Sequence, residues 1–150
     1  MGRYYEEFDI GQQFTTPRRT VIEADIHTFA GLSGDFNPLH MDEVFAKEND
    51  FGGRIAHGPM ILGMAFGLGS RDLLDGTVLG LLELGWKFMK PVRPGDTITV
   101  LVAVKDKRMT KKSDRGVVQF ELDVRNQNDE TVQVGQAKLM VRLKNPQVDV

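Results

Sequence analysis

The stretch "HGPMILGMAFGLGSRDLL", His57 to Leu74, restricts the possible folds more than any other part of the chain. Pro59 suits a first helical turn, where its missing N–H is no loss. From Met60 to Leu68 apolar residues then run nearly all the way round the helix. A helix with no polar face is expected to be buried on every side. Gly63 and Gly67 lie one turn apart, and glycine costs about 1 kcal/mol against alanine inside a helix. The pair therefore points to packing, a small-residue stripe that another backbone can approach closely. Arg71 and Asp72 end the run well short of the roughly 18 apolar residues that a membrane span needs.

After this helix the period changes to two. Leu82, Leu84, Trp86 and Phe88 alternate with Glu83, Gly85, Lys87 and Met89, and "KPVRPGD" makes a turn. Ile98, Val100, Val102 and Val104 alternate next, followed by Val118, Phe120, Leu122 and Val124. In the last strand, Thr131 to Leu143, the apolar phase slips by one residue near Gly135, as a β-bulge there would produce. A shorter strand between Gln13 and Arg19 brings the expected number to about five. The economical solution for one apolar helix and one long antiparallel sheet is α+β, with the curved sheet wrapped around the buried helix: the hot-dog fold. A plain α+β sandwich is the alternative, but it would leave one side of that helix wet. No repeat or linker interrupts the 150 residues, so one domain over 1–150 is expected. Sheet edges in such a design are usually paired, which makes a homodimer or higher homo-oligomer the expected state.

Upstream, Thr20 and Glu23 fit a capping box at a helix start. Ile22, Ile26, Phe29 and Ala30 fall on one helical face, and Gly34 is placed to end it. A further helical turn is expected at Asp42–Lys47, before the loop "NDFGGR".

Between these elements lies "LSGDFNPLHMD", which sets Asp35, Asn37 and His40 within six residues of a chain that has three histidines. With Pro38 fixing a turn, the Asp35 and His40 side chains can converge on one pocket. There they can hold a water, take a proton from it and return one nearby. Asn37 can fix the loop through backbone hydrogen bonds. Equally, Asp35 and Asn37 can simply cap the turn, with His40 packed beside it. Gly58 opens the apolar helix, where free N–H groups meet the positive end of the dipole. Because Pro59 has no N–H, Gly58 is the candidate oxyanion donor, or else an ordinary helix-start glycine. His57 reads more readily as structural, and is otherwise a candidate for contact with substrate.

Other chemistries fit less well. The chain has no cysteine, so thiolate zinc sites, disulfides and cysteine nucleophiles are excluded. Asp35, His40 and His57 could in principle ligate zinc, but no HxxxH or HxH pair exists, and no metal is expected. Ser33 and Ser70 lack a G-x-S-x-G context. The net charge of −2 argues against nucleic acid as a partner. The N-terminal "MGRYYEEFDIG" lacks the layout of a secretory signal, and the C-terminal "PQVDV" matches no address. A soluble, cytoplasmic protein without membrane contact is the expectation.

"SGDFNPLHMD" resembles the signature of MaoC-like dehydratases, the (R)-specific enoyl-CoA hydratases of the hot-dog superfamily, and "RIAHGPM" and "FMKPVRPGDTI" are similar to later parts of that family. The resemblance covers most of the chain in the same order. It implies that Asp35 and His40 are the catalytic pair, Asn37 the orienting amide and Gly58 the backbone oxyanion donor. It further implies an acyl-CoA thioester substrate, hydrated or formed by dehydration without a cofactor. Some members carry a serine in the central helix where this chain has Gly63 and Met64. Lys87, Lys90 and Arg93 are candidates, by position, for the CoA phosphates. A hot-dog thioesterase and a non-catalytic acyl-CoA-binding subunit are the rival readings.

Overall fold

A computed structural model of the chain describes residues 1–146; residues 147–150, the end of "PQVDV" and of the expected domain, lie outside the described residues. A 3₁₀ turn (Tyr5–Glu7) leads into β1 (Gln13–Thr15) and β2 (Arg19–Thr20). Four helices follow: α1 (Glu23–Ser33), α2 (Pro38–Met41), α3 (Glu43–Lys47) and α4 (Gly58–Leu73). The chain closes with β3 (Val78–Phe88), β4 (Thr97–Met109), β5 (Arg115–Arg125) and β6 (Thr131–Arg142). The strands form one antiparallel sheet in the order β1-β4-β5-β6-β3, with β2 also paired to β4. This is the hot-dog arrangement, with α4 against the inner face of the sheet.

Among the described residues there are six strands where about five were expected, because the expected Gln13–Arg19 strand is two. Pro17, with no N–H to offer a ladder, separates them. At the break the Thr16 hydroxyl accepts the Val100 N–H at 3.0 Å. The alternation read in β4 and β5 is reproduced: Ile98, Val100, Val102, Val104, Val118, Phe120, Leu122 and Val124 are all buried.

In β6 the phase slip falls two residues before the expected place. Val124 pairs with Gln133 and Arg125 with Thr131, which leaves Val132 as the extra residue of a bulge. Val132 and Gln133 are consequently both buried, and the inward set continues through Gly135, Ala137, Leu139 and Val141. Gly135 itself lies in unbroken register opposite Leu122 and Trp86. Its glycine has a steric reason, since a Cβ there would stand 1.8 Å from the Trp86 ring.

The start of α1 also differs from expectation. The reciprocal carboxylate is that of Asp25, which accepts the Ile22 N–H at 3.0 Å. Thr20 belongs to β2, where its hydroxyl meets that of Thr97 at 2.8 Å. Gly34 ends the helix in the left-handed region, at φ 78°.

Helix α4 begins and ends where its sequence implies, but it is not buried on every side within one chain. Met60, Ile61, Met64, Ala65 and Leu73 face the sheet and are buried. Pro59, Gly63 and Gly67 are exposed, and a Cβ on either glycine would meet nothing within 4 Å. A single sheet covers a helix from one side, and here the other side stays open. Beside it the edge strand β3 exposes Val78, Leu81, Leu82, Leu84 and Phe88. Among the described residues no helix is long and apolar enough to cross a membrane.

Candidate active site

The loop after α1 is built from its own side chains. Ser33 Oγ accepts the Asp35 N–H at 3.1 Å, and Asp35 Oδ1 accepts the Asn37 N–H at 3.2 Å. Asn37 Oδ1 in turn accepts the Leu39 N–H at 3.0 Å, capping α2 with Pro38 in its first turn. The stretch therefore holds one helical turn, and His40 sits on it. The side-chain carbonyl of Asn37 caps the first turn of that helix.

His40 is buried, with Nδ1 2.7 Å from the Ile55 carbonyl. A carbonyl only accepts, so Nδ1 carries the proton and a neutral His40 presents a lone pair at Nε2. That nitrogen lies 3.9 Å from Asp35 Oδ2. The Asp35 side chain is half exposed, while that of His40 is 11% exposed, so the pair opens to solvent on the carboxylate side.

His57, at 1% exposure, joins this loop to α4. Its Nε2–H donates to the Asp35 carbonyl at 2.9 Å. Its ring stacks on that of His40 at 3.9 Å between centroids and lies 4.9 Å from that of Phe29. The next residue is Gly58, whose N–H has no acceptor among the described residues. The His57 carbonyl takes both the Met60 and Ile61 N–H groups, at 3.1 and 3.3 Å. Hydrogen bonds at the oxygen of a peptide unit polarise its N–H, and the Gly58 N–H also sits at the positive end of a 16-residue helix.

Donor atoms of Asp35, His40 and His57 fall within 4.8 Å of one another, close enough to raise the question of a metal. The geometry does not suit one. An imidazole binds a metal in its ring plane, and the two rings are stacked 29° from parallel, so their lone pairs do not converge. His57 Nδ1 is buried with no partner among the described residues, and Nε2 is already engaged.

A groove of about 270 Å³ opens on Gly58, walled by Phe51, Ile55, Ile61, Phe88 and Lys90, with Gln133 at its base. Of the three cations singled out by position, Lys90 lines this groove and is ion-paired to Glu130. The Arg93 guanidinium donates to the Phe51 carbonyl. Lys87 alternates with Trp86 and Phe88 on β3 and lines a different groove, with Glu83, Glu121 and Gln136. The loop also has a latch that its sequence did not reveal. Arg54 donates to Glu43 at 2.6 Å and to Glu23 at 2.6 and 2.9 Å, tying α3 to α1 across the residues that carry Asp35 and His40.

The hydrogen bonds from Arg54 hold the Glu23 carboxyl below the ordinary glutamate value. Arg54→Ala is expected to cost about 1–2 kcal/mol at neutral pH, a fall of a few degrees in Tm. A lowered carboxylate pKa contributes stability above the unfolded-state value and loses it as pH falls through the folded-state value. The gap in Tm between wild type and variant should therefore narrow in acid, which calorimetry across pH would measure.

Comparison with known proteins agrees with this architecture. The family model described as "MaoC like domain" matches residues 7–126. Protein MaoC of Klebsiella aerogenes is 43% identical over 109 residues, which are 70% of this chain and 31% of that protein. This chain thus corresponds to about a third of that relative. An (R)-specific enoyl-CoA hydratase of Rhodospirillum rubrum is 41% identical over 102 residues, 67% of this chain and 69% of the relative. The crystal structure of a MaoC-like dehydratase from Rhodospirillum rubrum superposes with a TM-score of 0.85 at 31% identity, covering 96% of this chain and 99% of the other. With a matching family model over most of its length and the same fold in a solved member, the chain belongs to the MaoC-like domain family.

Proposed function

We propose that this protein is a hydro-lyase that adds water to trans-2-enoyl-CoA thioesters, giving (R)-3-hydroxyacyl-CoA, and runs the dehydration in reverse. The observation that carries this is the pair His40 Nε2 and Asp35 Oδ2, two acceptors 3.9 Å apart, next to a helix start with an unengaged Gly58 N–H. Two acceptors at that separation cannot bond each other. A water that donates one proton to each bridges them and turns its own lone pair outward, as a nucleophile. The enoyl carbonyl accepts the Gly58 N–H, so addition at C3 places negative charge where a backbone donor and the helix dipole stabilise it. One proton leaves the water for the pair and one returns from the pair to C2, which restores the starting state. Asp35 and His40 act as one unit in this exchange. His57 positions the loop through the Asp35 carbonyl. The hydratase named among the relatives supports the substrate class.

The groove beside Gly58 suits the thioester arm, with Lys90 and Arg93 near its rim for the phosphates. Crotonyl-CoA is the direct test. Loss of enoyl absorbance with no free thiol released is expected. Thiol release would instead indicate a thioesterase, and binding without turnover an acyl-CoA-binding subunit.

We also assign the working state to a homodimer. An 11-residue antiparallel edge strand with unpaired backbone groups and exposed apolar side chains complements a second copy of itself about a two-fold axis. The open stripe of α4 lies beside it. Leu84→Asp is expected to give monomers in sedimentation equilibrium at concentrations where wild type is dimeric. A wild type that sediments as a monomer throughout would dispose of the idea.

A further inference from the structure

Gln133 is 2% exposed, and a glutamine so deep is normally satisfied at both ends of its amide. Here Oε1 accepts the Trp86 indole N–H at 2.9 Å, and Nε2 donates to the Gly58 carbonyl at 3.1 Å. An indole N–H can only donate, which fixes the amide orientation and leaves Nε2 for the carbonyl. Gln133 faces inward in phase with Gly135, Ala137 and Leu139, opposite Val124, and the extra residue Val132 lies just before it. Phe88, two residues after Trp86, completes the enclosure, because a Cβ on Gly58 would stand 2.8 Å from its ring.

Gly58 needs such support. It is the first residue of α4, where N–H groups lack intrahelical partners, and His57 contributes no side-chain cap. Glycine also has more backbone freedom than any other residue. A backbone donor stabilises developing charge to the extent that it is aimed before the reaction begins.

We propose that Gln133, oriented by Trp86, is a positioning residue that holds the Gly58 N–H in line with the substrate carbonyl. The proposal rests on the reading of Gly58 as the oxyanion donor given above. It assigns a function to a strand residue that touches neither Asp35 nor His40.

Gln133→Met keeps the length of the side chain and removes its amide. Its kcat for crotonyl-CoA hydration, per folded site, is expected to fall roughly 10- to 100-fold with KM nearly unchanged. Trp86→Phe, which frees the amide to turn over, should show a smaller loss of the same kind. The second readout is the carbonyl stretch of enoyl-CoA bound to slow enzyme. In Asp35→Asn/Gln133→Met the band should lie at higher frequency than in Asp35→Asn alone, reporting a less polarised carbonyl. A glutamine that only stabilises the fold would lower Tm but leave kcat per folded site and the band position unchanged, and that result overturns the proposal. Should Gln133→Met fail to fold, Trp86→Phe gives the same two readouts.

If wild type hydrates no enoyl thioester, the functional reading fails, and the clamp is judged separately by ¹⁵N relaxation of the Gly58 amide. Its order parameter should drop in Gln133→Met from the rigid range near ~0.85 toward the flexible range. An unchanged value would refute the clamp.

Discussion

Asp35→Asn is expected to lower kcat for crotonyl-CoA hydration by about 10²- to 10⁴-fold, the usual worth of a positioned acid–base group, with Tm almost unchanged. The second half of this expectation makes the variant informative. The Asp35 side chain is half exposed, and its structural duty is to accept the Asn37 N–H through Oδ1, which an asparagine oxygen can still do. What the amide cannot do is take a proton from water. His40→Gln is expected to be as damaging to kcat, but less cleanly. That ring is buried, donates to Ile55 and stacks on His57, so its loss should also lower Tm. The double variant should be scarcely slower than either single one, because removing one member of a unit already disables it. Near-wild-type turnover in Asp35→Asn would rule out the proton-transfer role. Additive losses in the double variant would mean that the two residues work independently.

Much of this arrangement was legible in the chain because its signals are local. Alternation over Ile98–Val104 and Val118–Val124 records which side of a strand faces the core, and the structure buries those residues. Gly34 and Pro59 mark a helix end and a helix start because each has a backbone conformation that favours it. The Asp35, Asn37 and His40 set is likewise confined to six residues.

What escaped the sequence depends on partners far along the chain. Glu23 sits correctly for a capping box with Thr20, but Arg54, 31 residues away, takes its carboxylate. The apolar girth of α4 signalled burial without saying that one chain supplies a cover on one side alone. Gln133 in an alternating strand reads as a solvent residue. It faces inward because the slip lies before it, between Val132 and Gln133, rather than at Gly135, and its hydrogen-bond partners on Trp86 and Gly58 are 47 and 75 residues away. The sequence places the bulge at Gly135. The slip was real and two residues displaced, and the glycine was answering the indole on the neighbouring strand.

That last relation gives the largest stability effect we expect from a single methyl group. In Gly135→Ala the new Cβ would stand 1.8 Å from Trp86 Cε3 and 2.3 Å from Cζ3, far inside contact distance, and the indole must move. Overpacking of this kind typically costs about 1–3 kcal/mol, or roughly 2–4 °C of Tm per kcal/mol for a chain of this size. The displaced indole also carries the N–H that orients Gln133. The variant should therefore lose kcat per folded site as well as stability, with a blue-shifted or broadened tryptophan emission, since Trp86 is the chain's one tryptophan. Gly63→Ala is the matched control. The same methyl meets nothing within 4 Å in its own chain and gains helix propensity worth up to about 1 kcal/mol. Its isolated fold should be at least as stable as wild type, and any loss should appear in association between copies. If Gly135→Ala matches wild type in Tm and emission, the indole does not lie over that glycine, and the orientation of Gln133 loses its support with it.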